Sequence, residues 1–143
     1  TATFGVEGDE AAMEVARRMI GEQPTIDLRG LDEQDRRAYH GACALAANHL
    51  GVLYGEASAV LEAVGCARRP AEQAIGSLLR SSLSNLLALG VPAGVTGPVA
   101  RGDRAAIDGH LEALSGPARA IYRLLSERLA EILRDVVIAP LEP

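Results

Sequence analysis

The stretch LDEQDRRAYHGACALAANHLGVLYGEASAVLEAVG, Leu31 to Gly65, constrains the fold more than any other part of the chain. It reads as one long helix. Asp32 is its expected N-cap, Asp35 a weak capping-box partner, and Gly65 its stop. Cys43, Leu50, Ala57 and Leu61 lie along one side, with Ala46, Leu53, Val60 and Val64 beside them. Ala47, Gly51, Gly55 and Ala59 put small residues on another side. A helix this apolar is expected to be covered on most faces. A chain of 143 residues has few other elements with which to cover it, so a partner subunit or domain is expected.

Composition supports helix-on-helix packing. The chain is 48% hydrophobic and 23% charged, so it is globular, but only 3% aromatic and without Trp. Its core must therefore come from Leu, Ala, Val and Ile. The net charge of -5 argues against a nucleic-acid partner. Arg17-Arg18, Arg36-Arg37 and Arg68-Arg69 are isolated pairs close to acidic residues. All 14 basic residues are Arg, so no Schiff base, P-loop lysine or lysine general acid is possible in this chain. Cys43 and Cys66 read as small buried hydrophobes in a reducing, cytoplasmic setting. No signal peptide or membrane span is visible, and no His or Cys spacing suggests a metal site. The chain opens at Thr1 without an initiator Met, as a fragment or processed form would.

TATFGV and PTIDLR read as short strands flanking a helix in EGDEAAMEVARRMIG. Asp9 is the expected cap of that helix, Gly21 its end, and Ala12, Val15, Ala16 and Met19 its apolar stripe. This makes a βαβ opening over residues 1–30, followed by a helical region over 31–143. In that region RPAEQAIGSLLRSSLSNLLALG forms a helix with Pro70 in its first turn and Gly90 at its end. RAAIDGHLEAL follows with Asp103 as N-cap, then a last helix opened by Pro117, then the tail IAPLEP.

The stretch VPAGVTGPVARGD cannot be regular helix. Gly94, Gly97 and Gly102 permit positive φ and close approach, and Pro98 stiffens the middle. Thr96 offers a hydroxyl, Arg101 a planar cation for a carboxylate or phosphate, and Asp103 an acceptor. The alternative is an ordered connector between helices. In the long helix His40, Ala44 and Asn48 share one slanted ridge, so His40 could handle a proton while Asn48 orients a carbonyl. A helix histidine bonded to a nearby carbonyl is the competing reading. Ser81, Ser82, Ser84 and Asn85 break the apolar pattern of the next helix, lining a wet cleft or facing water.

Taken together, YHGACALAANHL, SLSNLLALG and VTGPVARGD resemble the C-terminal region of a group of two-domain Rossmann-like oxidoreductases. Pyrroline-5-carboxylate reductase, ketopantoate reductase and the 3-hydroxyacid dehydrogenases are relatives of that group. The resemblance rests on Tyr39, His40, Asn48, Asn85 and the run Thr96, Gly97, Pro98, Arg101, Gly102, Asp103. It implies a mainly helical fold like the C-terminal domain of 6-phosphogluconate dehydrogenase, serving as a homodimerisation and substrate domain behind a separate NAD(P)-binding domain. It also implies catalytic roles for His40 and Asn48, and substrate contacts from Tyr39, Asn85, Thr96, Arg101 and Asp103 to a small anionic compound. Related dehydrogenases use a helix-borne Lys, which this chain lacks, so His40 would substitute. The βαβ unit has no G-x-G-x-x-G, so NAD(P) is not expected on this chain alone. A non-catalytic helical interaction module is the alternative from another functional class.

Overall fold

The computed structural model of the chain describes residues 2–138. The elements run β1 (Phe4–Val6), α1 (Glu10–Ile20), β2 (Thr25–Asp27), α2 (Glu33–Ala63), α3 (Arg68–Leu89), α4 (Pro98–Arg101), α5 (Arg104–Ala113) and α6 (Gly116–Ile138). The protein is mainly helical, with a short parallel strand pair ahead of one long helix, as the sequence leads one to expect. The tail expected beyond Ile138 lies outside the described residues. Two compact units, Thr1–His49 and Leu50–Pro143, divide within α2.

The first unit is a crossover. β1 and β2 pair in parallel, with Phe4 opposite Thr25, Gly5 opposite Ile26 and Val6 opposite Asp27. α1 begins where the Asp9 carboxylate accepts the Ala12 N–H at 2.8 Å, and it ends where Gly21, at φ 67°, donates to the Arg17 carbonyl. The buried face of α1 differs from the expected stripe. Met13 is the buried residue, with Ala16 and Ile20 half-buried, while Val15 and Met19 are exposed. Met13, Ala16 and Ile20 form a ridge at i, i+3, i+7, and the return of the crossover past β1 selects that ridge.

α2 starts as expected, with the Asp32 carboxylate accepting the Asp35 N–H at 2.8 Å. Its first turns are tied to the sheet. A Cβ on Gly5 would sit 2.6 Å from Tyr39 Oη and 2.9 Å from Leu28 Cδ1. Glycine lets the phenol lie against β1 without displacing either side chain. Ion pairs add links between elements: Arg36 Nε lies 3.1 Å from Glu7 Oε2, and Arg29 reaches Glu10 at 3.1 Å and Asp27 at 2.6 Å.

In the second unit α2 ends ahead of Gly65, which has φ 100°, and α3 carries Pro70 in its first turn. Gly90, at φ 66°, closes α3 by donating to the Leu86 carbonyl. Ala71, Ile75 and Ser58 are buried. Much else is not. Leu50, Val52 and Leu53 on α2 are exposed, and so are Leu78, Leu83, Leu86, Leu87 and Leu89 on α3, with Leu87 at 79%. A Cβ on Gly51 or Gly55 would meet nothing within 4 Å. Among the described residues nothing covers this aliphatic surface. Both cysteines are exposed rather than buried as expected. Cys43 lies one turn after Tyr39 on α2, and Cys66 follows the end of α2.

Candidate functional site

The connector from α3 to α5 is built by its glycines and its aspartate. Gly94 donates to the Gly90 carbonyl at 2.7 Å, and a Cβ there would lie 2.7 Å from the carbonyl oxygens of both Asn85 and Gly90. Any other residue would collide with fixed backbone. The stretch does contain helix, contrary to expectation: Gly97, at φ 105°, lets Pro98 open the four-residue α4. Gly102 is left-handed, at φ 65°. Its N–H donates to Val99 O at 3.1 Å, and the Asp103 N–H donates to Pro98 O at 2.9 Å. This paired closure is a Schellman motif, which needs a residue at positive φ. The Asp103 carboxylate then accepts the Ala106 N–H at 3.1 Å and starts α5.

These bonds account for Gly94, Gly97, Pro98, Gly102 and Asp103 as builders of the turn. Thr96 and Arg101 are left over. Their side chains are exposed, and among the described residues neither makes a hydrogen bond or ion pair. They do not share a cavity. Arg101 lines a shallow depression of about 480 Å³ together with Arg134, Leu133 and Val99, and among the described residues no carboxylate borders it. Among the described residues Arg134 also has no ion-pair partner. Arg17, Arg18, Arg29, Arg36, Arg37, Arg68, Arg104 and Arg128 each lie within 4 Å of an acidic oxygen, whereas Arg69, Arg80, Arg119 and Arg123, like Arg101 and Arg134, make no ion pair among the described residues. Arg134 also lines a second depression, of about 890 Å³, that Asp108, Glu112, Glu127 and Glu131 border, so the guanidinium that faces an anion without a competing acidic neighbour is that of Arg101.

Thr96 instead lines a recess of about 720 Å³, walled by the second half of α2 and by α3, α5 and α6. Its lining is aliphatic, with Leu53, Val60, Ile75, Ile121 and Leu125 prominent. A polar pair interrupts it: His110 Nδ1 lies 2.8 Å from Tyr122 Oη, and the two rings meet edge to face, with centroids 5.5 Å apart. Sequence reading passed over this pair. His110 and Tyr122 stand 12 residues apart on different helices, and only the α5–α6 hairpin brings them together.

The other sequence-selected residues sit elsewhere. Tyr39, His40 and Asn48 belong to the first unit, and Asn85 belongs to the second. His40 and Asn48 are exposed, and the His40 ring meets that of Tyr39 edge to face at 5.4 Å. Tyr39 is half-buried against β1, and the Cys43 side chain one turn on holds its phenol above the usual tyrosine range. Asn85, Ser81, Ser82 and Ser84 are exposed on α3. Among the described residues no group of three or more His, Cys, Asp or Glu side chains could hold a metal ion, and no helix is long and apolar enough to cross a membrane.

The βαβ unit does not fit a dinucleotide. The β1–α1 turn reads Val6-Glu7-Gly8-Asp9, with a single glycine. The Asp9 carboxylate already occupies the N-terminal amides of α1, where a pyrophosphate would have to sit.

A family model described as Domain of unknown function (DUF2520) matches residues 2–129. The chain belongs to this family. The DUF2520 match spans both compact units and includes the α3–α5 connector, the recess and most of α6. No curated protein and no solved structure matches the chain.

Proposed function

We propose that this DUF2520 chain is the substrate-binding and dimerisation domain of a two-domain NAD(P)-dependent oxidoreductase. The cofactor sits on a separate nucleotide-binding domain, since the βαβ unit here does not fit it. The single observation that carries the substrate role is the exposed Arg101 guanidinium, which makes no ion pair among the described residues and lines a depression with Arg134. It suits the carboxylate or phosphate of a small anionic substrate. The resemblance adds Thr96 and Asn85 of the second unit as substrate contacts, and it assigns proton handling and orientation to His40 and Asn48 of the first unit. Tyr39 and Asp103 join the proposed site through the resemblance, although both have structural work in this fold. Open aliphatic surface on α2 and α3, with Gly51 and Gly55 facing empty space, supports close packing against a second copy.

The test is NADPH or NADH oxidation by the full-length protein across a panel of small oxo acids. Arg101→Ala is expected to raise KM roughly tenfold or more, the size of one lost charge-assisted hydrogen bond. Arg101→Lys is expected to fall between it and the parent. An unchanged KM in Arg101→Ala, or no turnover with either cofactor, would sink the reading and favour a non-catalytic interaction module.

A further inference from the structure

The recess in the second unit is a cavity of about 720 Å³ with aliphatic walls and one hydrogen-bonded polar pair. That volume falls within the range of small-molecule sites, and such sites combine apolar walls with a few aimed polar groups. We infer that it binds a small aliphatic compound bearing an oxo or hydroxyl group, which the His110–Tyr122 pair hydrogen-bonds. Val99 borders both this recess and the Arg101–Arg134 depression, and Thr96 lines the recess alone, but the inference does not rest on the reading of that depression.

The ligand class follows from how a His–Tyr pair divides its protons. When Nδ1 of His110 carries its hydrogen, it donates to Tyr122 Oη, and the phenol O–H is free to donate to a carbonyl oxygen. When Nδ1 is bare, it accepts the phenol O–H, and the Tyr122 oxygen is free to accept from a ligand hydroxyl. Neither arrangement changes the net charge of the pair. A single switch of imidazole tautomer therefore converts the site from a ketone receptor to an alcohol receptor. A group such as serine at Tyr122 could not reach across with the same ring-to-ring support, because the edge-to-face contact at 5.5 Å fixes the two rings. Anionic head groups fit poorly. Glu56 also lines the recess, and no arginine borders it.

The competing occupant is a helix of a second copy, and the experiment separates the two. The full-length protein is titrated calorimetrically with 2-octanone, 2-octanol and octanoate. Both neutral probes are expected to bind with similar Kd, and octanoate at least tenfold more weakly. Tyr122→Phe keeps the ring and removes the hydroxyl, so it is expected to weaken both neutral probes roughly three- to tenfold, the worth of one hydrogen bond. Leu125→Trp fills the recess and is expected to abolish binding while leaving the sedimentation mass unchanged. Equal binding by the parent and Tyr122→Phe would overturn the proposal. So would no binding of either neutral probe, or a Leu125→Trp variant that loses its partner copy instead of its ligand. Circular dichroism of each variant ensures that lost binding is not lost folding.

Discussion

The two compact units hold themselves together by different means. In the first, polar contacts join separate elements: Glu7 to Arg36 links the β1–α1 turn with α2, and Glu10 to Arg29 links α1 with the end of the crossover. In the second, the ion pairs Arg68–Glu72, Arg104–Asp108 and Arg128–Glu131 each lie within one helix. They stabilise helices locally and bind none to another. Apart from the His110–Tyr122 hydrogen bond between α5 and α6, what holds the helices of the second unit is aliphatic, and much of that surface is exposed. Both units expose large apolar side chains, Met19 and Leu45 in the first and Leu87 and Leu78 in the second, but among the described residues only in the first do ion pairs tie one element to another.

The largest expected effect lies in the connector of the second unit. Gly94→Ala would place a Cβ 2.7 Å from two carbonyl oxygens of fixed backbone. It is expected to destabilise by about 3 kcal/mol, at the upper end of overpacking costs, measured by denaturant unfolding. Gly5→Ala in the first unit meets the ends of the Tyr39 and Leu28 side chains, which can yield more than backbone can. Its cost is expected to be smaller, about 1–2 kcal/mol. Equal losses would mean that the two units do not differ in rigidity at these points.

Removing the cap in Asp103→Ala is expected to cost about 1 kcal/mol, with hydrogen exchange rising first in α5. The smallest effect is acid sensitivity confined to the first unit. Hydrogen bonds from the Arg29 side chain hold the Asp27 carboxyl down to about 2, against an ordinary value of 3.8. A carboxyl lowered in the folded state adds stability above its unfolded value, and that stability is lost as pH falls from about 4 toward 2. Asp27→Asn is expected to flatten that part of the pH profile, and an unchanged profile would remove Asp27 from the explanation.

Local features were legible in the sequence because each is decided within a few residues. The caps at Asp9, Asp32 and Asp103, the stops at Gly21 and Gly90, and the openings at Pro70 and Pro117 follow from backbone chemistry alone. The four-residue α4 was not, since its two flanking glycines read equally as loop. The α1 face was misjudged because helical periodicity permits several stripes, and only packing selects Met13. In the candidate site, Arg101 stood out by its loop, but its neighbour Arg134 lies 33 residues on, and His110 meets Tyr122 only through tertiary pairing.

The central claim is that a second copy covers the exposed leucines outside the recess, Leu50 on α2 and Leu83, Leu86, Leu87 and Leu89 on α3. Sedimentation equilibrium of the full-length protein tests it most directly, run beside a Leu87→Glu variant. A dimer is expected at micromolar concentration, with the variant shifted at least a hundredfold toward monomer, because a two-fold interface loses about 1.5–3 kcal/mol at each of two symmetric leucines. A parent protein that remains monomeric at tens of micromolar, or a variant that dimerises as tightly as the parent, would contradict it.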